Sequence, residues 1–314
     1  MSLRVGDSWG VASVRQHAGF PTDDGYAAPI GNCLVQWNLT SQESTLLQIH
    51  GDLITVMIQN KQNEILTVSF SGEVKIWQGD WKLLASFQST TNNVIYGSWS
   101  NNGDLFSFCS KGPHQKLMIY SKKSVIEGYS KNQNITADWS FSAPQPDAPF
   151  SDSSKKSIAC FNASLFKENG EVLAIYQTKD TCQLYLFSVT GDVQRCSTIS
   201  PLGDSKNDMQ CISTIFNNKI VAVGVQRGIF GLYDIDSLEL LNVFQATGSP
   251  RICLWDKDLF VTMSYVSGII SFWGPNGVLL KDISGEFYGI YLILKKLFQP
   301  SWKILEKQKF YSIK

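Results

Sequence analysis

The side chains best suited to chemistry are few and far apart in this chain. Three histidines occur, His17, His50 and His114, together with seven cysteines at positions 33, 109, 160, 182, 196, 211 and 253. No two cysteines stand two or four residues apart, the spacing at which paired metal ligands occur. Most lie in apolar runs such as 209–216 (MQCISTIF), where a thiol serves as a small buried hydrophobe. The sequence contains no HExxH, no GxSxG, no phosphate-binding glycine loop and no GxGxxG after a strand. These absences leave no catalytic, cofactor-binding or metal-ligating residue to name, so the expectation is a protein that is not an enzyme and needs no cofactor.

Composition narrows the partners. The 314 residues carry 27 basic and 27 acidic side chains, and only 17% are charged. That balance lacks the basic excess of a nucleic-acid-binding surface. No stretch reaches the length of about 18 uninterrupted apolar residues that a membrane-spanning helix needs. Residues 1–9 (MSLRVGDSW) lack the apolar run of a secretory leader. Scattered, odd-numbered cysteines also suit a reducing compartment, so an intracellular site, cytoplasmic or nuclear, is expected. The sequons at Asn38, Asn134 and Asn162 are then chance matches in a chain rich in Asn, Ser and Thr.

The elements that must carry the few polar groups emerge from an internal repeat. Stretches 70–77 (FSGEVKIW), 225–233 (VQRGIFGLY) and 265–273 (YVSGIISFW) each place a glycine five residues before a terminal aromatic. Glycine supplies the positive φ of a tight hairpin turn, and the apolar residues after it form a strand. Another strand precedes each one, at 65–70, 219–224 and 259–264, rich in β-branched and aromatic residues. Weaker copies end at Trp37, Tyr120 and Phe187. The markers Trp37, Trp77, Tyr120, Phe187, Tyr233 and Trp273 are separated by 40, 43, 67, 46 and 40 residues.

Four of these intervals match one four-stranded propeller blade. The long one requires an insertion, placed at 130–156, where three prolines and many small polar residues predict a loop. In the fifth unit the strands are expected at 209–216, 219–226, 228–235 and 238–245, and no amphipathic helix is expected within the repeats. The fold class that follows is all-β: a single β-propeller over 1–285 with about seven four-stranded antiparallel blades. Six blades are marked, and the seventh must come from residues near the termini. Within residues 9–32, 11–14 are read as a strand and Asp23, Asp24 and Gly25 as a turn. Residues 286–314, with six lysines against two glutamates, are an atypical basic segment, either a degenerate closing blade or a tail that binds a partner or membrane surface.

Stretch 68–77 (VSFSGEVKIW) resembles the second and third strands of a WD repeat, whose usual form is Ser-x-Asp-Gly-Thr, then apolar, basic, apolar, then Trp-Asp. Ser69, Gly72, Val74, Lys75, Ile76 and Trp77 fall in register, and His50 stands where that family places a histidine in the loop entering the blade. The polar signature is otherwise worn. Only Tyr233 is followed by an aspartate, Asp234, while Trp37, Trp77 and Trp273 precede Asn38, Gln78 and Gly274. Ser71 stands in place of the tight-turn aspartate, and no Gly-His pair occurs. The resemblance covers about residues 30 to 285 and implies a protein-interaction scaffold within a multiprotein complex.

A WD-repeat disc would gather several basic residues on one face. Lys111, His114, Lys179 and Arg227 fall in loops between second and third strands, and Lys206 and Arg251 in loops entering the blades. Such a face suits an acidic or phosphorylated peptide, with Asp52, Glu73 and Asp180 partly offsetting it. Trp139, Phe141 and Phe150 in the expected insertion are a second candidate contact. Two alternatives stand beside the scaffold. A propeller hydrolase or lyase would need acids or histidines along the central channel. A ubiquitin-ligase substrate receptor would carry an arginine soon after the Trp-Asp dipeptide, where this chain has none.

Overall fold

The computed structural model describes residues 20–22, 25–38, 40–110, 116–142, 160–177, 182–199, 211–216, 219–224, 228–247, 251–256, 259–264 and 269–284. Within them the chain is all-β apart from one helix, and every strand pairs antiparallel with its sequence neighbour in six four-stranded sheets. Sheet A holds β1 (Phe20–Pro21), β2 (Gly25–Ile30), β3 (Cys33–Asn38) and β4 (Ser44–Gln48). Sheet B holds β5 (Ile54–Gln59), β6 (Ile65–Ser69), β7 (Glu73–Trp77) and β8 (Leu83–Gln88).

Sheet C holds β9 (Val94–Trp99), β10 (Leu105–Ser110), β11 (Leu117–Ser121) and, after helix α1 (Lys122–Ser130), β12 (Trp139–Phe141). Sheet D runs through β13 (Cys160–Phe166), β14 (Val172–Gln177), β15 (Cys182–Phe187) and β16 (Val193–Thr198). Sheet E has β17 (Cys211–Phe216), β18 (Ile220–Gly224), β19 (Ile229–Asp234) and β20 (Leu240–Gln245). Sheet F has β21 (Arg251–Asp256), β22 (Leu259–Ser264), β23 (Ile269–Trp273) and β24 (Leu279–Ser284).

All six marker aromatics fall at or next to the end of the third strand of a sheet, one per sheet, and the strands of the fifth unit fall within one or two residues of their expected bounds. Two expectations are corrected. A helix does stand within the repeats, α1, capped by Ser121, whose hydroxyl accepts the Ser124 amide at 3.4 Å. The stretch 130–156 is not loop throughout, since Trp139–Phe141 form β12 and pair with β11 as the fourth strand of sheet C, while residues 143–156 lie outside the described residues. The helix escaped periodicity because it is only nine residues long and buries just Val125 and Gly128; a single amphipathic turn or two leaves too short a pattern. Thr22 and Gly25 exchange backbone hydrogen bonds between β1 and β2, whereas Asp23 and Asp24 of the expected turn, residues 11–14 and residues 286–314 lie outside the described residues.

First strands of successive sheets lie against one another: β5 against β9, β9 against β13, β13 against β17 and β17 against β21. Close approach demands small side chains there. The Gly97 backbone passes Val56 of the preceding sheet, and hydroxyls link Ser98 to Ser107 and Ser107 to Ser164 at 2.7 Å each, the latter pair fully buried across sheets C and D. Larger rings fill the wider space farther out. In sheet C, Phe106 and Phe108 stack on Tyr120, and between sheets E and F, Phe244 and Trp273 lie 4.6 Å apart.

The turns between third and fourth strands wedge the seams. Trp81 and Leu238 hold positive φ values of 66° and 59°, a conformation that is costly for bulky residues. Both drive an apolar side chain inward. Trp81 packs on the cluster of Ala27, Leu34, Ile54 and Ile65 that joins sheets A and B, and Leu238 is buried beside Tyr233 and Ile235. The turn of sheet D has Gly191 at the corresponding place, with φ of 92°. Here the wedge comes from outside: the Trp139 ring packs against Gly191, 2.7 Å from where a Cβ would stand, and its Nε1 donates to the Val189 carbonyl at 3.0 Å. Replacing Trp139 by alanine is expected to lower unfolding free energy by about 3 kcal/mol, read as a lower denaturant midpoint with an unchanged far-ultraviolet spectrum.

Candidate functional site

The densest polar arrangement stands where the chain enters sheet B. His50 lies in the loop before β5, Thr67 in the middle of β6, and Glu73, Lys75 and Trp77 along β7. Thr67 pairs directly with Lys75 across the ladder. This register aims the Trp77 ring back over Thr67, and its Nε1 donates to the threonine oxygen at 2.8 Å. His50 Nε2 lies 2.8 Å from the same oxygen, and its Nδ1 lies 2.9 Å from Glu73 Oε2. Lys75 reaches Glu73 Oε1 at 2.8 Å and the Ile49 carbonyl, while the Gly51 amide donates to Glu73.

Only one set of protons satisfies all of these groups. The carboxylate can only accept, so His50 carries its proton on Nδ1 and its Nε2 is an acceptor. Thr67 then accepts from Trp77 and donates to His50. A second proton on the imidazole would take away the acceptor for the Thr67 hydroxyl proton, inside a pocket where His50 is 2% exposed. Burial accordingly lowers the His50 pKa, more strongly than the Glu73 carboxylate raises it. For Glu73, burial is outweighed by hydrogen bonds from Lys75, His50 and Gly51, which hold its pKa below the usual carboxylate range.

Sheet F contains a copy of the central contact. Trp273 Nε1 donates to Thr262 Oγ1 at 2.8 Å, with Thr262 paired to Ser271 just as Thr67 pairs to Lys75. Elsewhere the matching second-strand residues are Ala28, Phe108, Ala174 and Val223. Alanine suits Phe187 of sheet D, which has no donor. Valine leaves the Tyr233 hydroxyl of sheet E buried without a hydrogen-bond partner among the described residues.

Asp234 accepts from the Asp236 and Ser237 amides at 3.0 and 2.7 Å, tying the β19–β20 turn. Asn38 does the same in sheet A, accepting from the Thr40 and Ser41 amides at 2.8 and 2.9 Å. Asn38 and Asp234 thus perform the same physical task in their turns.

Of the residues named for partner binding, His114, Lys179 and Arg227 lie outside the described residues, as do Lys111, Lys206 and Phe150. Arg251 opens β21, and only its backbone is described. Trp139 and Phe141 do not hang from a loop. They are the ends of β12 and turn onto sheet D, where Phe141 meets Phe187 at 4.9 Å and Trp139 meets it at 5.6 Å. Glu73 was missed as a partner of His50 because its carboxylate sits two residues beyond the tight-turn position held by Ser71. The clue was its alternation with Lys75 and Trp77, which puts all three on one face of β7.

On the opposite side of the ladders, the turns 100–105 and 167–170 enclose an open cleft of about 270 Å³ lined by Ser100, Asn102, Asp104, Lys167 and Glu168 among others. Lys167 is occupied by Glu171 at 2.6 Å and by Asp236 of sheet E at 2.7 Å. Among the described residues, no three His, Cys, Asp or Glu side chains converge as a metal site, and no helix is long and apolar enough to cross a membrane. No protein-family model and no curated protein matches the chain.

Thr67→Val strands both the Trp77 N–H and the His50 acceptor and is expected to cost about 2 kcal/mol, whereas Tyr233→Phe removes a hydroxyl that has no partner among the described residues and is expected to stabilise by about 1 kcal/mol. Denaturant melts of the two variants measure the contrast. Because the His50 pKa is lowered on folding, its contribution is whole above the unfolded-state value near 6.5 and is lost as pH falls through the folded-state value. Glu73, also lowered, acts in the same direction at lower pH. Melting temperature is expected to fall from pH 7.5 to pH 5 in the wild type and to fall less in His50→Asn.

Proposed function

We propose that this chain is a divergent WD-repeat-like propeller, with about seven blades, that acts as a non-catalytic scaffold binding other proteins through its faces and loops. The observation that carries the reading is the hydrogen-bond relay from Trp77 through Thr67 and His50 to Glu73, with its partial copy at Trp273 and Thr262. It occupies the positions at which the resemblance places a histidine and a tryptophan. Successive first strands lying side by side support a radial arrangement of the six sheets.

The relay also speaks to the choice between scaffold and enzyme. His50, Glu73 and Lys75 are the side chains of sheet B most able to move protons, and each is committed to holding a loop on a strand. A general base needs a free lone pair facing substrate. The His50 acceptor instead faces a buried threonine. Partner recognition then rests on the loops, and the basic set His114, Lys179, Arg227 and Arg251 fits an acidic or phosphorylated peptide.

Reversing those four residues to glutamate in the full-length chain tests the reading. Cross-linking and mass spectrometry of affinity-purified material are expected to recover specific proteins with the wild type and to lose them with the variant, at equal melting temperature. Retention of every partner would remove the basic face. Projection images of the same preparation are expected to show a ring of radial blades, and a linear array of sheets would overturn the architecture.

A further inference from the structure

The outermost strand of each sheet leaves one row of backbone groups unpaired, and a regular, uncharged edge of this kind is a template for another strand. In four sheets the edge is broken. The ladders onto β8, β16, β20 and β24 each shift register near the second residue of the outer strand, and such bulges twist an edge away from further pairing. Additional guards stand on several of them. Helix α1 packs against β8, β16 carries Arg195, and β24 carries Lys281 and Asp282. In sheet C the outer strand is only three residues long.

β4 has none of these devices. Its pairing with β3 runs without a shift from Cys33 opposite Gln48 to Trp37 opposite Ser44. Its sequence, STLLQ, holds no charge and no proline, and all five residues are exposed. Leu46 and Leu47 are 54% and 42% exposed. Among the described residues no strand pairs with its outer side.

We infer that β4 is a self-association edge, pairing antiparallel with β4 of a second copy about a twofold axis at Leu46. A twofold antiparallel pair sets each residue opposite a symmetric one, so Leu46 faces Leu46, Thr45 faces Leu47 and Ser44 faces Gln48. No like charges meet. Glu43, the nearest charge, falls opposite Ile49. The formal net charge of zero removes the long-range repulsion that would oppose association of identical chains. A second copy therefore matches this edge in hydrogen bonding, apolarity and charge at once. Such a short contact places the dimer at the weak end of specific association, with dissociation roughly in the micromolar range.

Sedimentation velocity or light scattering of the full chain over a concentration series tests this. The wild type is expected to shift from monomer to dimer. Leu46→Lys, which sets two ammonium groups face to face, is expected to raise the dissociation constant roughly tenfold or more with an unchanged melting temperature, as its side chain is already exposed. Leu280→Lys, at an equally exposed site on the bulged β24, is expected to leave the dimer intact. A wild type that remains monomeric throughout, even one that binds a foreign extended peptide at β4, overturns the inference. So does a dimer lost in Leu280→Lys and kept in Leu46→Lys.

Discussion

Each sheet of this protein is apolar on both faces, and a single four-stranded sheet can cover neither. In sheet D, Leu173 and Ala174 are adjacent in sequence, point to opposite faces and are both fully buried, as are Val172 and Leu184. Burial on that scale comes only from neighbours on either side. The seams between sheets are consequently the interaction on which everything else rests. They explain the serine hydroxyls and the bare Gly97 backbone near where first strands touch, the rings farther out, and the tolerance of a strained φ at Trp81 and Leu238, where the inserted side chain more than offsets the backbone cost.

The same constraint gives the polar relay its place. The loop entering β5 must cross from sheet A to sheet B, and its backbone groups are drawn into the seam. The Asn32 carbonyl accepts from both Ile49 and His50, and the Gly31 carbonyl accepts from Ile54. Pinning the loop through His50 to two strands of sheet B fixes its path. Where the relay is missing, apolar contact holds the sheet instead, as the 0% exposure of Phe187 shows in sheet D. Absence of the polar groups therefore removes reinforcement and leaves the seam.

Much of this was legible in the residue order. A glycine five residues before an aromatic marks the third strand of sheets B, E and F, and shorter apolar runs ending at Trp37, Tyr120 and Phe187 located it in the other three. Longer-range pairings were not legible. Glu73 could not be matched to His50 by spacing, since 23 residues separate them and the contact exists only once β7 lies beside the loop. Trp139 and Phe141 followed the same logic. Surrounded by small polar residues and prolines, they have the local character of a loop, and only the proximity of sheet D turns them into a fourth strand.

By itself, then, the sequence determined the strand period, the glycine turns and the repeat of about forty residues, because these depend on interactions within a few residues of chain. Tertiary structure decided which polar groups were paired, which outer strands were guarded and which large side chains became wedges. Those outcomes depend on what the neighbouring sheet presents at a given height in the seam. Thr67 beside Trp77 and Val223 beside Tyr233 occupy the same position of the same repeat. One completes a hydrogen-bond chain and the other leaves a hydroxyl without a partner among the described residues, a difference invisible until the strands are laid side by side.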